Sequence, residues 1–251
     1  MNIVFLAFLL VSLAGVATMI GVVPIFIHFN NKRIVISACL AFAAGVMVCV
    51  SIIDLIPEGM KMIRGYFSEI FVLIISFLVV FLGIIFSYLI DRVVLNHDGD
   101  SLYRAGILSM IGIIMHNIPE GIVTFISTNQ NTMLGISLVI AIGIHNIPEG
   151  ISISVPIYYS TGSRIKALFY TFLSGLSELL GAFIAYLFLM PIINDLILGL
   201  LFLFTAGVML QISLITLFPT SYKYNYYKLS WGAFLFGIIF MLCYFYIIFL
   251  C

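Results

Sequence analysis

The sequence predicts an all-α integral membrane protein of eight spanning helices in a 3+2+3 inverted-repeat plan, and three observations carry that prediction. The chain of 251 residues is 64% hydrophobic and only 8% charged, and its apolar runs are longer than soluble cores use. Cutting it where Lys, Arg, Asp, Asn and Pro cluster leaves eight apolar segments, each long enough to cross a hydrocarbon core about 30 Å thick at about 20 residues per crossing. The third observation is that a stretch of the second segment returns in the seventh.

The first segment, 3–27, follows Met1-Asn2 without a basic n-region or a small-residue cleavage site, so it reads as a spanning helix and not as a removable signal. The second, 34–57, carries Asp54 and Pro57 near its end with Glu58 just past it, and the third, 70–90, leads into a short polar loop from Asp91 to Arg104. The fourth and fifth, 105–127 and 132–157, each hold one copy of a polar hexapeptide. The sixth is 166–189, the seventh 196–218 and the eighth 229–250. Tyr158-Tyr159, Tyr222 to Tyr227 and Trp231 read as interfacial aromatic belts. Residues 1–251 are thus expected to form a single eight-helix transmembrane domain.

The loops after helices 1, 3, 5 and 7 hold Lys32 and Arg33, Arg92 and Arg104, Arg164 and Lys166, and Lys223 and Lys228. On the other side only Lys61 and Arg64 are basic. The positive-inside rule therefore places both termini outside the cytoplasm. Formal net charge is zero, and with no basic stripe the chain offers nothing to nucleic acid. Cys39, Cys49, Cys243 and Cys251 form no CxxC pair and read as small packing residues. No Gly-rich phosphate loop follows a strand, which leaves ATP-driven pumping unsupported.

Two identical hexapeptides, HNIPEG, span His116 to Gly121 and His145 to Gly150, and helix 2 carries a degenerate third copy, DLIPEG, from Asp54 to Gly59. Residues four apart on a helix share a face, so His116/Glu120, His145/Glu149 and Asp54/Glu58 each make a two-ligand column. Pro119, Pro148 and Pro57 donate no backbone hydrogen bond; the carbonyls of Met115, Ile144 and Ile53 lose their usual partners, and kinks are expected there. The repeat is wider than the hexapeptide. AGVMVCVSIIDLIPEG from Ala44 matches AGVMLQISLITLFPTS from Ala206 at a constant offset of 162 residues. Helix 7 comes five crossings after helix 2, so the copies run in opposite directions. Helices 1–3 and 6–8 are then inverted repeats around helices 4 and 5, an arrangement that secondary transporters build around a midplane site.

Asp54, Glu58, Glu120, Glu149 and Glu178 fall inside or at the edge of predicted helices with no basic partner at similar depth. At about 2.5 to 3.5 kcal/mol each, five uncompensated carboxylates would cost about 12 to 17 kcal/mol. Protons or a metal cation must offset this. Two imidazoles, several carboxylates and the amides Asn117 and Asn146, with no thiolate, suit Zn²⁺ first, then Fe²⁺, Mn²⁺ or Co²⁺. Other roles remain open: the amides for backbone groups freed by proline, Glu178 for packing on a face made of Ser174, Gly175, Ser177 and Gly181. His28 and His97 read as surface residues.

The twin HNxPEG, the eight helices and the run HNIPEGISISVPIYYSTGSRIKALFYTFLSGLSELLGA from His145 to Ala182 resemble the ZIP family of divalent-metal transporters, most closely its bacterial ZupT-type branch. The likeness covers nearly the whole chain. It implies that His116, Asn117 and Glu120 with His145, Asn146 and Glu149 form the transport site near the midplane, and that Glu178 serves a second metal of a binuclear site. Asp54 matches a helix 2 ligand by position, with Glu58 as its alternative or as part of the exit path. Many relatives carry a long histidine-rich loop between helices 3 and 4; here that loop is short and offers only His97 with Asp98 and Asp100, which argues against a loop metal sensor.

The resemblance implies uptake of divalent transition metals, chiefly zinc, through a ZIP-type bundle in the bacterial inner membrane. The metal is cargo and no prosthetic group is expected. The partners are the metal ion and the lipid bilayer, with a homodimer allowed. A metal-selective channel shares every residue with a carrier. An intramembrane zinc hydrolase is the remaining alternative, but HExxH is absent and HxxxE columns make a loose ligand set; no enzyme activity is expected.

Overall fold

The computed structural model describes residues 2–94, 100–189 and 194–250. Among these residues there is no strand, and eight helices are long and apolar enough to span a membrane: α1 (Ile3–Ile25), α2 (Lys32–Ile63), α3 (Glu69–Arg92), α4 (Ser101–Gln130), α5 (Thr132–Thr161), α6 (Arg164–Leu187), α7 (Asp195–Tyr222) and α8 (Tyr227–Ile247). The polar residues between apolar runs turn out to start helices. Asn2, Asn31, Asp100, Asn131, Ser163 and Asn194 each accept a backbone N–H of the first turn that follows them. Gly162 closes α5 in the left-handed conformation, φ 69°, where a Cβ would be strained.

Several helices run past the expected ends. α4 and α5 run on without a break in the helix past Pro119, Pro148 and Pro156 to Gln130 and Thr161. α2 passes Pro57 and reaches Ile63 because a π turn at Ser51–Leu55 comes first. There the Ile56 N–H bonds the Ser51 carbonyl five residues back, a wider turn that gives the following proline ring room. α7 repeats the device: a π turn at Ile212–Leu217, with the Phe218 N–H on the Ser213 carbonyl and Pro219 next. The Ser51 hydroxyl bonds the Met47 carbonyl and the Ser213 hydroxyl that of Met209, again 162 residues apart.

The inverted repeat also organises the packing. α1, α4, α5 and α6 pack on one another; α2 packs on α8 and α3 on α7, with α2 and α7 touching the first group through α5 and α4. Where backbones meet, glycines sit in matched pairs. Gly45 lies against the Phe234 carbonyl and Gly237 against that of Phe42; in the other half Gly207 lies against the Val80 carbonyl and Gly83 against that of Phe204. The central pair obeys the same rule. Gly121 meets the carbonyl of Glu178 and Gly181 that of Ile118, while Gly150 meets that of Thr18 and Gly21 that of Ile147. So α4 and α5 exchange at an offset of 29 residues, and α1 and α6 at 160. The twin hexapeptide is itself part of the internal two-fold.

Eight antiparallel crossings put the described chain ends and the α2–α3, α4–α5 and α6–α7 connections at one end of the bundle, called here the terminus end. The basic loops lie at the other. The outer faces are apolar and exposed, as at Phe71 and Phe77 of α3 and Leu235 and Phe236 of α8, which suits contact with lipid.

Candidate metal centre

Successive turns of α4 and α5 bring the two hexapeptides face to face. Glu120 Oε1 lies 3.1 Å from His145 Nε2 and 3.3 Å from His116 Nε2, so one carboxylate oxygen sits between both imidazoles. Glu149 Oε1 is 3.5 Å from His116 Nε2, and the ring centroids are 5.9 Å apart. None of the four residues is more than 5% exposed. These spacings have a chemical meaning. Four ligands about 2.1 Å from a tetrahedral zinc are about 3.4 Å from one another. Ligand atoms of His116, Glu120 and His145 all lie within 4.8 Å of one another, close to the span that one bound cation would draw together.

Hydrogen bonding leaves the set unsatisfied. Both ring nitrogens of His116, Glu120 Oε2 and Glu149 Oε2 are buried without a partner, a costly condition for polar groups at this depth. Among the described residues, Lys and Arg form ion pairs only with Glu58, Glu69 and Asp91. Nothing cationic other than the histidines faces the three buried glutamates.

The next residue along each helix turns toward the flanking helices. The Asn117 amide donates to the Ser174 carbonyl of α6 at 3.2 Å, and the Asn146 amide to the Ala14 carbonyl of α1 at 3.1 Å. These are equivalent bonds under the internal two-fold. Asn146 alone has a further contact, with the fully buried carboxylate of Glu178; the position equivalent to Glu178 in α1 is Thr18. The Oδ1 atoms of both asparagines and Glu178 Oε2 remain without partners.

A cavity of about 470 Å³ opens at the terminus end and reaches Glu120 and His145. Asp54, Glu58, Lys61, Ser127 and Tyr244 line it. Asp54 therefore stands in the wall of this vestibule, outside the His116–Glu120–His145 group. Glu58, expected to lack a basic partner, has one: Lys61 Nζ lies 3.2 Å from its carboxylate. The ion pair forms because α2 does not stop at 57; one more turn keeps Lys61 on the Glu58 face.

The description ZIP Zinc transporter belongs to the family model that matches residues 96–245, more than half of the chain. The chain belongs to the ZIP zinc transporter family. Its relatives include zinc transporter ZupT of Streptococcus mutans, 39% identical with 90% of this chain and 91% of the relative covered. ZupT of Oceanobacillus iheyensis is 40% identical over the same shares, and that of Clostridium perfringens 39% identical over 96% and 95%. This is a family of transporters, and the hydrolase alternative has no support from it.

In this ZIP protein, His116, Glu120, His145 and Glu149 converge, and Asn117, Asn146 and Glu178 form an adjoining layer toward α1 and α6. The amides bond carbonyls of neighbouring helices, not those freed by proline. Asp100 caps α4 through its carboxylate, while His97 and Asp98 lie outside the described residues. His28 is exposed. Sequence reading missed Lys61 and Tyr244 as vestibule residues. The i+3 spacing of Lys61 from Glu58 was a usable signal; Tyr244 had none.

Proposed function

We propose that this chain carries Zn²⁺ across the bacterial inner membrane into the cytoplasm, binding it near the midplane between α4 and α5. The observation that carries the reading is the buried set of two imidazoles and two carboxylates, three of them with ligand atoms within 4.8 Å of one another and with both His116 ring nitrogens, Glu120 Oε2 and Glu149 Oε2 lacking partners, reached from one end by an acidic cavity. The ZIP membership and the zinc transporters among its relatives support the same substrate; Fe²⁺, Mn²⁺ and Co²⁺ suit the same ligands. With the positive-inside rule, the terminus end faces outward and the vestibule is the metal's approach. Asp54 and Glu58 raise the local cation concentration there, the four central ligands replace water on the ion, and one helix group moves against the other to release it. Residues 1–251 act as one transport domain.

Asn146, bonded to Glu178, follows His145, and Asn117 with its free Oδ1 follows His116; a second ion held by this layer would share Glu120 or Glu149. In this binuclear reading, purified protein holds two zinc ions and Glu178→Ala holds one.

Proteoliposomes loaded with a zinc-sensitive dye test the function directly. Native protein is expected to give saturable, steeply temperature-dependent zinc influx, and Glu149→Ala to lose it; full retention in Glu149→Ala refutes the site. A channel would show weak temperature dependence instead.

The vestibule carboxylates have a separate signature. Asp54→Asn with Glu58→Gln is expected to raise KM for zinc about 3- to 10-fold through lost electrostatic focusing, with flux at saturating zinc retained. If saturating flux falls in step with affinity, Asp54 belongs to the central ligand set.

A further inference from the structure

The end of the site opposite the vestibule is closed, and the internal two-fold indicates what closes it. Carried across that symmetry, the vestibule residues Asp54 and Glu58 fall on Thr216 and Thr220 of α7, Val123 on Ser152 of α5, and Leu138 and Ala141 on Ser109 and Gly112 of α4. On the vestibule side all five are at least partly exposed, whereas on the other side every counterpart is buried. The two ends of one symmetric frame are thus in different states.

Two observations locate the closure. Gly112 stands one turn from His116 toward the basic end, and the first atom that any side chain there would strike is the Ile212 δ1-methyl of α7, with Val208 behind it. Ile212 begins the π turn of α7. Beyond that contact, on the Gly112 and His116 face of α4, the Ser109 hydroxyl is fully buried with no hydrogen-bond partner. A polar group in that condition is costly in a permanently dry, packed wall and costs little once water reaches it.

We propose that metal leaves the site toward the basic end along Ser109, Ser152, Thr216 and Thr220, and that Ile212, seated on Gly112, is the side chain that shuts this path. The proposal rests on the transport reading above. Its chemistry is directional. The approach carries carboxylates where the release path carries neutral hydroxyls, which hold a divalent ion far less tightly, and conduction needs attraction on the way in and weak binding on the way out. An apolar plug one turn below the ligands blocks a hydrated cation without giving it a ligand to rest on.

Thiol accessibility tests this in a chain whose four cysteines are replaced by alanine and whose zinc flux is retained. A membrane-impermeant methanethiosulfonate is applied to oriented proteoliposomes from the side of the basic loops. Ser109→Cys is expected to react slowly at rest and about tenfold faster when a zinc gradient drives turnover, or when Ile212→Ala is added without zinc, because removing the plug favours the open state. Ser127→Cys in the vestibule should react only from the opposite side. If Ser109→Cys fails to give monodisperse protein, Thr220→Cys carries the same expectations. The proposal is overturned if the thiol is unreactive in every condition, reacts only from the vestibule side, or reacts at one rate with and without Ile212→Ala. A chain with no zinc flux would refute the transport reading instead, and the zinc-free comparison of Ile212→Ala would still decide the gate.

Discussion

Glu120→Gln is expected to abolish zinc transport and to weaken zinc binding more than about 100-fold, beyond the 10- to 100-fold typical of an outer-shell partner. The substitution keeps the side-chain volume, so packing between α4 and α5 survives. What it removes is the one oxygen that faces both imidazoles, 3.3 Å from His116 and 3.1 Å from His145. An amide presents either a weaker neutral oxygen or an N–H at that point, and an N–H repels a cation while satisfying a histidine nitrogen. The same exchange at Glu58, already paired with Lys61, should cost little affinity. Equilibrium dialysis of ⁶⁵Zn²⁺ against purified protein measures both; Glu120→Gln binding within about threefold of native would remove Glu120 from the ligand set.

Gly121→Val is expected to destabilise the fold itself. Any side chain at this position meets the Glu178 carbonyl of α6, and backbone cannot move aside as a flexible side chain would. Overpacking of this kind costs about 1–3 kcal/mol, or roughly 2–12 °C in Tm for a chain of this size. Gly143→Ala on α5 is the control, because a Cβ there meets only the Ala17 methyl at 3.5 Å, an ordinary contact. A fluorescence thermal scan in detergent compares the two. Equal Tm values would mean that the α4–α6 approach contributes nothing to stability.

The spanning helices were legible because hydropathy and length are local, additive properties. Their ends were less so. Segments expected to end at 57 and 157 run on to Ile63 and Thr161, in α2 past a π turn that precedes Pro57. That error hid the Lys61–Glu58 pair. The buried His/Glu cluster was legible because i+4 spacing puts His116 over Glu120 and His145 over Glu149 whatever the tertiary fold. The position of Asp54 was not, because DLIPEG says which face of α2 it occupies but not how far α2 stands from the α4–α5 seam. The sequence similarity of α2 and α7 predicted the inverted repeat. That plan already paired α1 with α6, which share few side chains, and the pairing is visible in the matched backbone contacts at Gly15, Gly21, Gly175 and Gly181.

The paired π turns of α2 and α7 have a geometric consequence. A π turn holds one residue more than an α turn, so sliding it one position along the helix leaves the hydrogen-bond ladder nearly intact. The stretch beyond it, however, rotates by about 100° and advances by about 1.5 Å. In α2 that stretch carries Glu58 and Lys61, and in α7 it carries Thr220 and Lys223. Each helix therefore has a screw joint, cut from the same sixteen-residue template and mounted in opposite directions.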